Sequence, residues 1–397
     1  MEPINRDQRI VLISMIALVA VAVFASDLYL PSMPAMARAL HASHRAVKMT
    51  ISIYLFGLGC SPLIFGPLSE RHGRRYILLV GLVVALVGSL ICALSYSIHL
   101  LILGRFIQAA GVASGLTLGR SMARDVFQGA RLSQIGSYMG MMFGLIPAIA
   151  PTIGGYVQEA YGWRANFEIL LLLIIAVFVW VLFVVPETNK NRSAHATRPK
   201  ILLKTYWSLI SQKGFIVYPI IACFSMSCFM IYLTISPFLF QNILGYTPVQ
   251  FGWLAVVIGA GIISGSFCNS RLVKFVPGAK ILMLAGIVMF VASIFMLLFG
   301  LYGVINFYVI MLPMFGIAVG SQLAFPNAFS GGMSKITVAV GFASALFTSI
   351  QMGSSSLANT IASMLHVRDQ VPLAIMLSSV SLLLAVTVYC GVIRANK

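Results

Sequence analysis

Asp27 stands in the stretch VAVFASDLYLPSMPAM, after about seventeen residues that are almost all apolar. Arg105 stands in LGRFIQAAGVASG, seven residues into another apolar run. Each is the kind of residue that does chemistry, and each costs several kcal/mol if it sits alone in hydrocarbon. Of the nine acidic residues, Glu2, Asp7, Glu70, Asp125, Glu159, Glu187 and Asp369 fall in predicted loops or at helix ends. Glu168 lies about one turn inside its span, so Asp27 is the one carboxylate well within a predicted helix, and Arg105 the one deep base. A lone acid kept there suits the binding and release of a proton; a static ion pair with Arg105 is the competing reading.

Depth relates the two charges. A helix rising 1.5 Å per residue from about residue 10 puts Asp27 about 25 Å from the inner surface of a bilayer. A helix running inward from about residue 99 puts Arg105 about 9 Å below the outer surface. In a core about 30 Å thick both lie in the outer half, where two isolated charges are cheaper together than apart. Pro31 and Pro34 follow Asp27 and are expected to interrupt the helical ladder near its outer end.

A second constellation is GPLSERHGRR at 66–75. Gly66 allows tight packing or a turn, and Glu70 can reach the positive N-terminal end of a neighbouring helix. Arg71, Arg74 and Arg75 can pair with Asp125 in ARDVF. Half-exposed pairs of this kind are weak enough to form a gate that opens.

The elements that must position these residues follow from composition. The 397 residues are 60% hydrophobic and only 9% charged, with a mean hydropathy of +0.98. Soluble domains carry about 25% charged residues, so this is a lipid-facing chain. Twelve apolar stretches are long enough to cross a bilayer, at 10–34, 47–66, 76–95, 99–119, 134–157, 165–185, 215–238, 249–269, 279–299, 303–324, 339–362 and 371–393. The first run is too long for a signal-peptide core and lacks a cleavage site, so it is read as helix 1.

The net charge of +17 is a topology signal rather than a nucleic-acid signal. With both termini on one side, that side holds 20 of the 26 lysines and arginines. The other side holds 5, namely Arg38, Arg45, Lys48, Arg164 and Arg368. This asymmetry places both termini in the cytoplasm. The six cysteines are scattered within spans with no CxxC, and read as small buried hydrophobes rather than a disulfide or metal site.

The polar, basic segment 186–213 divides the chain into a bundle at 1–185 and a bundle at 214–397, and reads as a flexible cytoplasmic linker. GVASG at 111–115 recurs as GIAVG at 316–320, and Gly66 and Arg71 are echoed by Gly265 and Arg271. The offsets of 205, 199 and 200 residues are close to half the chain. Two six-helix halves around a substrate path form a transporter architecture. An enzyme is disfavoured, since HExxH, GxSxG, SxxK and carboxylate clusters are all missing from the sequence. A channel is disfavoured because no span reads as a charged or carbonyl-lined pore.

With these motifs in place, the chain resembles the major facilitator superfamily. GPLSERHGRR is similar to its loop 2–3 signature, LGRFIQAAGVASG to its span 4 motif, and IAPTIGG (149–155) to its antiporter motif around Pro151, Gly154 and Gly155. DLYLPSMP, ARD, GWRANF, SPFLFQ and FPNAF resemble Bcr/CflA-type drug:proton antiporters. The resemblance implies an all-α membrane protein of twelve transmembrane helices in two pseudo-symmetric six-helix bundles. It implies a monomer in a bacterial inner membrane that exchanges small molecules for protons, without cofactor or nucleic acid.

By the same resemblance Asp27 is the proton-titrating acid and Arg105 the arginine that modulates it. Gly66, Glu70, Arg71, Gly73 and Arg74 form the gate loop, with Arg74 paired to Asp125 and Glu70 facing the start of span 11. The gate cluster is expected to assemble when the cavity opens outward. Departures are Glu70 in place of aspartate, Ala109 and Ala150 in place of glycine, and Val19 where some relatives carry a second acid.

Candidates for lining the substrate cavity are Tyr54, Gln108, Tyr138, Tyr232, Gln322, Gln351 and Asn359. A mostly apolar cavity with one acid suits amphiphilic, neutral or weakly cationic compounds. Multidrug export is the leading expectation. Transport of a dedicated metabolite or siderophore, by export or by uptake symport, is the alternative.

Overall fold

The computed structural model describes residues 5–189, 197–336 and 340–394. The first half holds α1 (Arg6–Asp27), α2 (Met33–Ala39), α3 (His44–His72), α4 (Arg74–Ala93), α5 (Ile98–Val126), α6 (Gly129–Tyr161) and α7 (Trp163–Phe183). A short α8 (Pro199–Ile210) follows. The second half holds α9 (Lys213–Phe238), α10 (Pro248–Leu272), α11 (Gly278–Leu301), α12 (Phe307–Met333), α13 (Val340–Met364) and α14 (Val371–Val388). Ten helical segments among the described residues are long and apolar enough to cross a membrane, and α6 and α13, at 33 and 25 residues, have the length to complete twelve.

Local chemistry sets where helices start and stop. Asn5 and Gln8 form a reciprocal capping box at α1, and Thr247 and Gln250 form the same device at α10. α1 stops at Asp27, and one 3-10 turn over Leu30–Ser32 carries Pro31, which has no N–H to give the ladder. The break expected after Asp27 is therefore present. The sharp turn between α3 and α4 falls at Gly73, whose φ of 102° suits glycine. Gly66 has no such role among the described residues: it lies inside α3, and a methyl there would meet none of them within 4 Å. This corrects its assignment as a packing or turn glycine.

The two halves meet in a reciprocal pattern. α3, the second long helix of the first half, packs on α13, the fifth of the second; α6, the fifth of the first, packs on α10, the second of the second. Exchange of positions between repeats is what an internal pseudo-two-fold produces. Here "termini face" denotes the face carrying both chain ends, and "far face" the opposite one. The linker corrects another expectation. It is not wholly flexible, since residues 199–210 form a helix whose Tyr206 and Leu209 pack on the second bundle.

Candidate functional site

Asp27 is the last residue of α1 and, at 3% exposure, the one buried carboxylate among the described residues. It accepts a 2.6 Å hydrogen bond from Ser26 Oγ and makes no salt bridge within 4.0 Å among those residues. Arg105 is fully buried on α5, within electrostatic range of Asp27. Its Nη1 donates to the Ala25 carbonyl at 2.7 Å and to Gln108 Oε1. Its guanidinium carbon lies 4.3 Å from the ring centre of Tyr29 and 4.0 Å from that of Tyr54, so two π-faces clasp the cation. Among the described residues Nε and Nη2 have no hydrogen-bond partner. The sequence brought these two charges to one depth; the structure brings them together without pairing them.

The clasp is itself held. Tyr54 Oη donates to the Ala22 carbonyl of α1 at 3.1 Å, and Tyr29 Oη bonds Thr50 Oγ1 at the same distance. Gln108 Nε2 donates to Ser89 Oγ on α4 at 2.9 Å. Four helices of the first bundle are thereby tied to Arg105.

At the termini face Arg74 is the hub. Nη2 reaches Glu70 Oε1 at 2.8 Å, Nε reaches Asp125 Oδ2 at 3.2 Å and Nη1 donates to Ser69 Oγ at 2.6 Å. Arg71 and Arg75 do not join Asp125. Arg71 donates to Thr197 Oγ1 at 2.9 Å, and Arg75 to the Val181 and Leu182 carbonyls, which corrects the three-arginine pairing. Glu187, one of the acids expected in loops or at helix ends, caps α4: its carboxylate accepts the backbone N–H of Arg74 at 2.9 Å and of Arg75 at 3.3 Å. Its position directly after the sixth apolar run was the available signal. Thr188 adds a 3.0 Å bond to Asp125, and Asn189 bonds the Ser69 and Glu70 carbonyls. A cavity of about 520 Å³ lies against this cluster, lined also by Arg124 and by Gly341 of α13. The expected contact of Glu70 with the start of span 11 falls on residues 337–339, outside the described residues.

The cavity candidates separate into groups. Tyr54 and Gln108 are consumed in the Arg105 network, and Asn359 is fully buried, accepting from Thr234 and donating to the Ser355 carbonyl at 3.0 Å. These three serve packing contacts in this conformation, which corrects their placement on an open cavity. Tyr232 donates to Met311 Sδ at 3.4 Å and lines a void of about 20 Å³ with Leu30, Pro151 and Phe251. Gln322 accepts from Ser266 at 3.3 Å, and Gln351 is buried on α13. Tyr138 has its side chain outside the described residues.

The far face is shut. Gln241 donates to the Pro31 carbonyl at 2.8 Å, Thr152 to the Gly252 carbonyl at 3.0 Å and Ser356 to the Ser52 carbonyl at 2.7 Å, each across the two bundles. Pro151 and Gly155 lie in this seam, while Gly154 packs on the end of α1 within the first bundle. A methyl on Gly154 would overlap the Leu28 carbonyl oxygen, and one on Gly155 would fall 2.5 Å from the Pro248 carbonyl oxygen. Lys48, one of the five cations assigned to the far side, is 2% exposed: Nζ donates to the Leu365 carbonyl at 3.1 Å and lies 5.6 Å from the Phe238 ring centre. The gate cluster is thus assembled while the far face is closed, whereas the sequence expectation tied its assembly to an opening there.

Comparison with known proteins agrees with this geometry. A family model described as the Major Facilitator Superfamily matches residues 15–359. The MFS-type transporter YdgK of Bacillus subtilis is 31% identical over 81% of this chain and 80% of its own. A bicyclomycin resistance protein homolog of Haemophilus influenzae is 25% identical over 88% of both chains. Multidrug resistance protein D of Escherichia coli is 28% identical over 94% of this chain and 93% of its own. Among solved structures, the E. coli xylose transporter XylE superposes with a TM-score of 0.75 at 12% identity, covering 96% of this chain and 98% of its own. The human organic anion transporter MFSD10 superposes at 0.69 and 16%, over 96% and 99%. The fold, its reciprocal helix pairs and the extent of the family match lead to one conclusion: this multi-pass membrane protein belongs to the Major Facilitator Superfamily of transporters.

Proposed function

We propose that the chain exports small amphiphilic compounds in exchange for protons by alternating access. It works as a monomer in a bacterial inner membrane with both termini in the cytoplasm. The observation that carries this reading is Asp27, a buried carboxylate at the break in α1, beside a cation that does not neutralise it. Such a group can take up a proton when sealed and release it when water reaches it. The names of the bicyclomycin and multidrug resistance relatives support the substrate class. The excess of basic residues on the termini face supports the sidedness.

The Glu70–Arg74–Asp125 cluster, with Glu187 behind it, holds the cytoplasmic ends of α3, α4 and α5 together and forms a gate when it closes on α13, and the antiporter-motif seam with Lys48 is the opposing seal. Each pair is partly solvated and worth about 1 kcal/mol or less, and several together bias a two-state equilibrium usefully. The test is transport in inverted membrane vesicles. Accumulation of a drug that collapses when the proton gradient is dissipated supports export by antiport. Accumulation that is indifferent to the gradient, or release into the medium on energisation, contradicts it.

A further inference from the structure

α8 carries a surface that transport itself does not use. Leu203, Trp207 and Ile210, at spacing i, i+4 and i+7, form one stripe, and they are 70%, 72% and 41% exposed. Tyr206 and Leu209 turn to the second bundle instead. Leu209 is buried, and Tyr206 meets the Phe342 ring of α13 edge-on at 5.7 Å. Lys200 and Lys204 border the other flank of the apolar stripe and are both exposed. The helix sits two residues before α9, a membrane-spanning helix, so its depth is that of the bilayer boundary. Exposed tryptophan, aliphatic side chains and flanking lysines, in that order around one helix, are the features of an interfacial helix.

Its two ends are tied to opposite sides of the gate. Thr197, just before α8, accepts from Arg71 in the last turn of α3. Phe342, which Tyr206 touches, lies next to Gly341, a lining residue of the gate cavity. A helix fixed in the headgroup layer would hold both bundles through these contacts.

We propose that α8 is an anchor for anionic lipid. Lys200 and Lys204 engage lipid phosphates, Leu203, Trp207 and Ile210 enter the acyl boundary, and headgroup charge thereby acts on the gate through Arg71 and Phe342. The charge of the lysines selects anionic over zwitterionic headgroups, since each cation is drawn to a negatively charged surface.

The experiment uses the full-length chain with its six cysteines replaced and a nitroxide label at Leu203→Cys or Ser208→Cys. Each protein is reconstituted in phosphatidylcholine vesicles with and without phosphatidylglycerol. The expected result is that the Leu203 label collides more with oxygen than with a water-soluble nickel chelate. The Ser208 label should show the reverse. Phosphatidylglycerol should deepen the Leu203 label, and Lys200→Gln with Lys204→Gln should abolish that shift. Equal nickel access at both sites would place α8 in water and overturn the proposal. A Leu203 label protected from both reagents would indicate a protein partner or second copy, and would overturn it as well. A shift that survives loss of both lysines would remove the anionic-lipid assignment. None of these readouts depends on transport, so they stand apart from the export reading.

Discussion

Arg105 reaches the end of α1 through the backbone carbonyl of Ala25, two residues before Asp27, and forms no salt bridge with the Asp27 carboxylate. A salt bridge would have fixed the charge of Asp27. A bond to the neighbouring carbonyl instead fixes where the helix ends while the carboxylate keeps its freedom to change protonation. Position and charge state are separately controlled.

Arg105 is therefore expected to be a positioning residue with a stability cost. Arg105→Ala leaves the Ala25 carbonyl, Gln108 and two tyrosine faces without their shared partner. A loss of about 2–3 kcal/mol is expected from such a site. Arg105→Lys keeps the charge but not the planar stacking, and should recover part of the stability with poor coupling. Thermal unfolding in detergent alongside proton-coupled transport measures both.

Removing the hub of the termini-face cluster is expected to open that face rather than unfold the chain. With the native cysteines replaced, Gly341→Cys puts a thiol on the cavity wall, and its Cβ would meet nothing closer than Arg124 at 3.8 Å. Arg74→Ala should raise its labelling by an impermeant thiol reagent several-fold in inverted vesicles. An unchanged rate would remove the gate assignment. Glu187→Gln should give a smaller rise, because it loosens the cap of α4 without breaking the ion pairs.

The seam at the far face should tolerate no added methyl. Gly155→Ala brings a carbon within 2.5 Å of the Pro248 carbonyl oxygen of the other bundle. Overpacking of this kind costs about 1–3 kcal/mol, and here it falls on the closed state. Transport should fall steeply while a thiol placed on the far side becomes more reactive. Normal transport by the alanine variant would show that the seam between α6 and the start of α10 takes the added methyl at no cost.

Much of this was legible in the sequence because lipid makes charge conspicuous. Asp27, Arg105 and the Glu70–Arg74–Asp125 cluster stand out among only 35 charged residues, and apolar run lengths outline the spans. What stayed hidden depends on tertiary contact. Arg105 bonds a backbone carbonyl, which residue types do not report. Lys48 reads as one of the far-side cations until Leu365 and Phe238 arrive from the other bundle to bury it. Glu187 becomes a helix cap only when the chain folds back 113 residues to Arg74. Tyr54, Gln108 and Asn359 are polar residues within spans, as cavity residues would be, yet their hydrogen bonds are spent inside the helix packing. In α8 the spacing of Leu203, Trp207 and Ile210 was present, but the surrounding basic and polar residues drew the reading toward a flexible linker.

The central claim is that Asp27 carries the coupling proton, and Asp27→Asn tests it most directly. Asparagine keeps the shape and can still accept from Ser26, so the fold should survive, as thermal unfolding can check. The measurement is drug-driven proton movement in proteoliposomes across about pH 6 to 8. Asp27→Asn is expected to abolish proton movement at every pH while drug binding persists, and Asp27→Glu to retain part of it. Wild-type proton movement by the asparagine variant over that range would contradict the account.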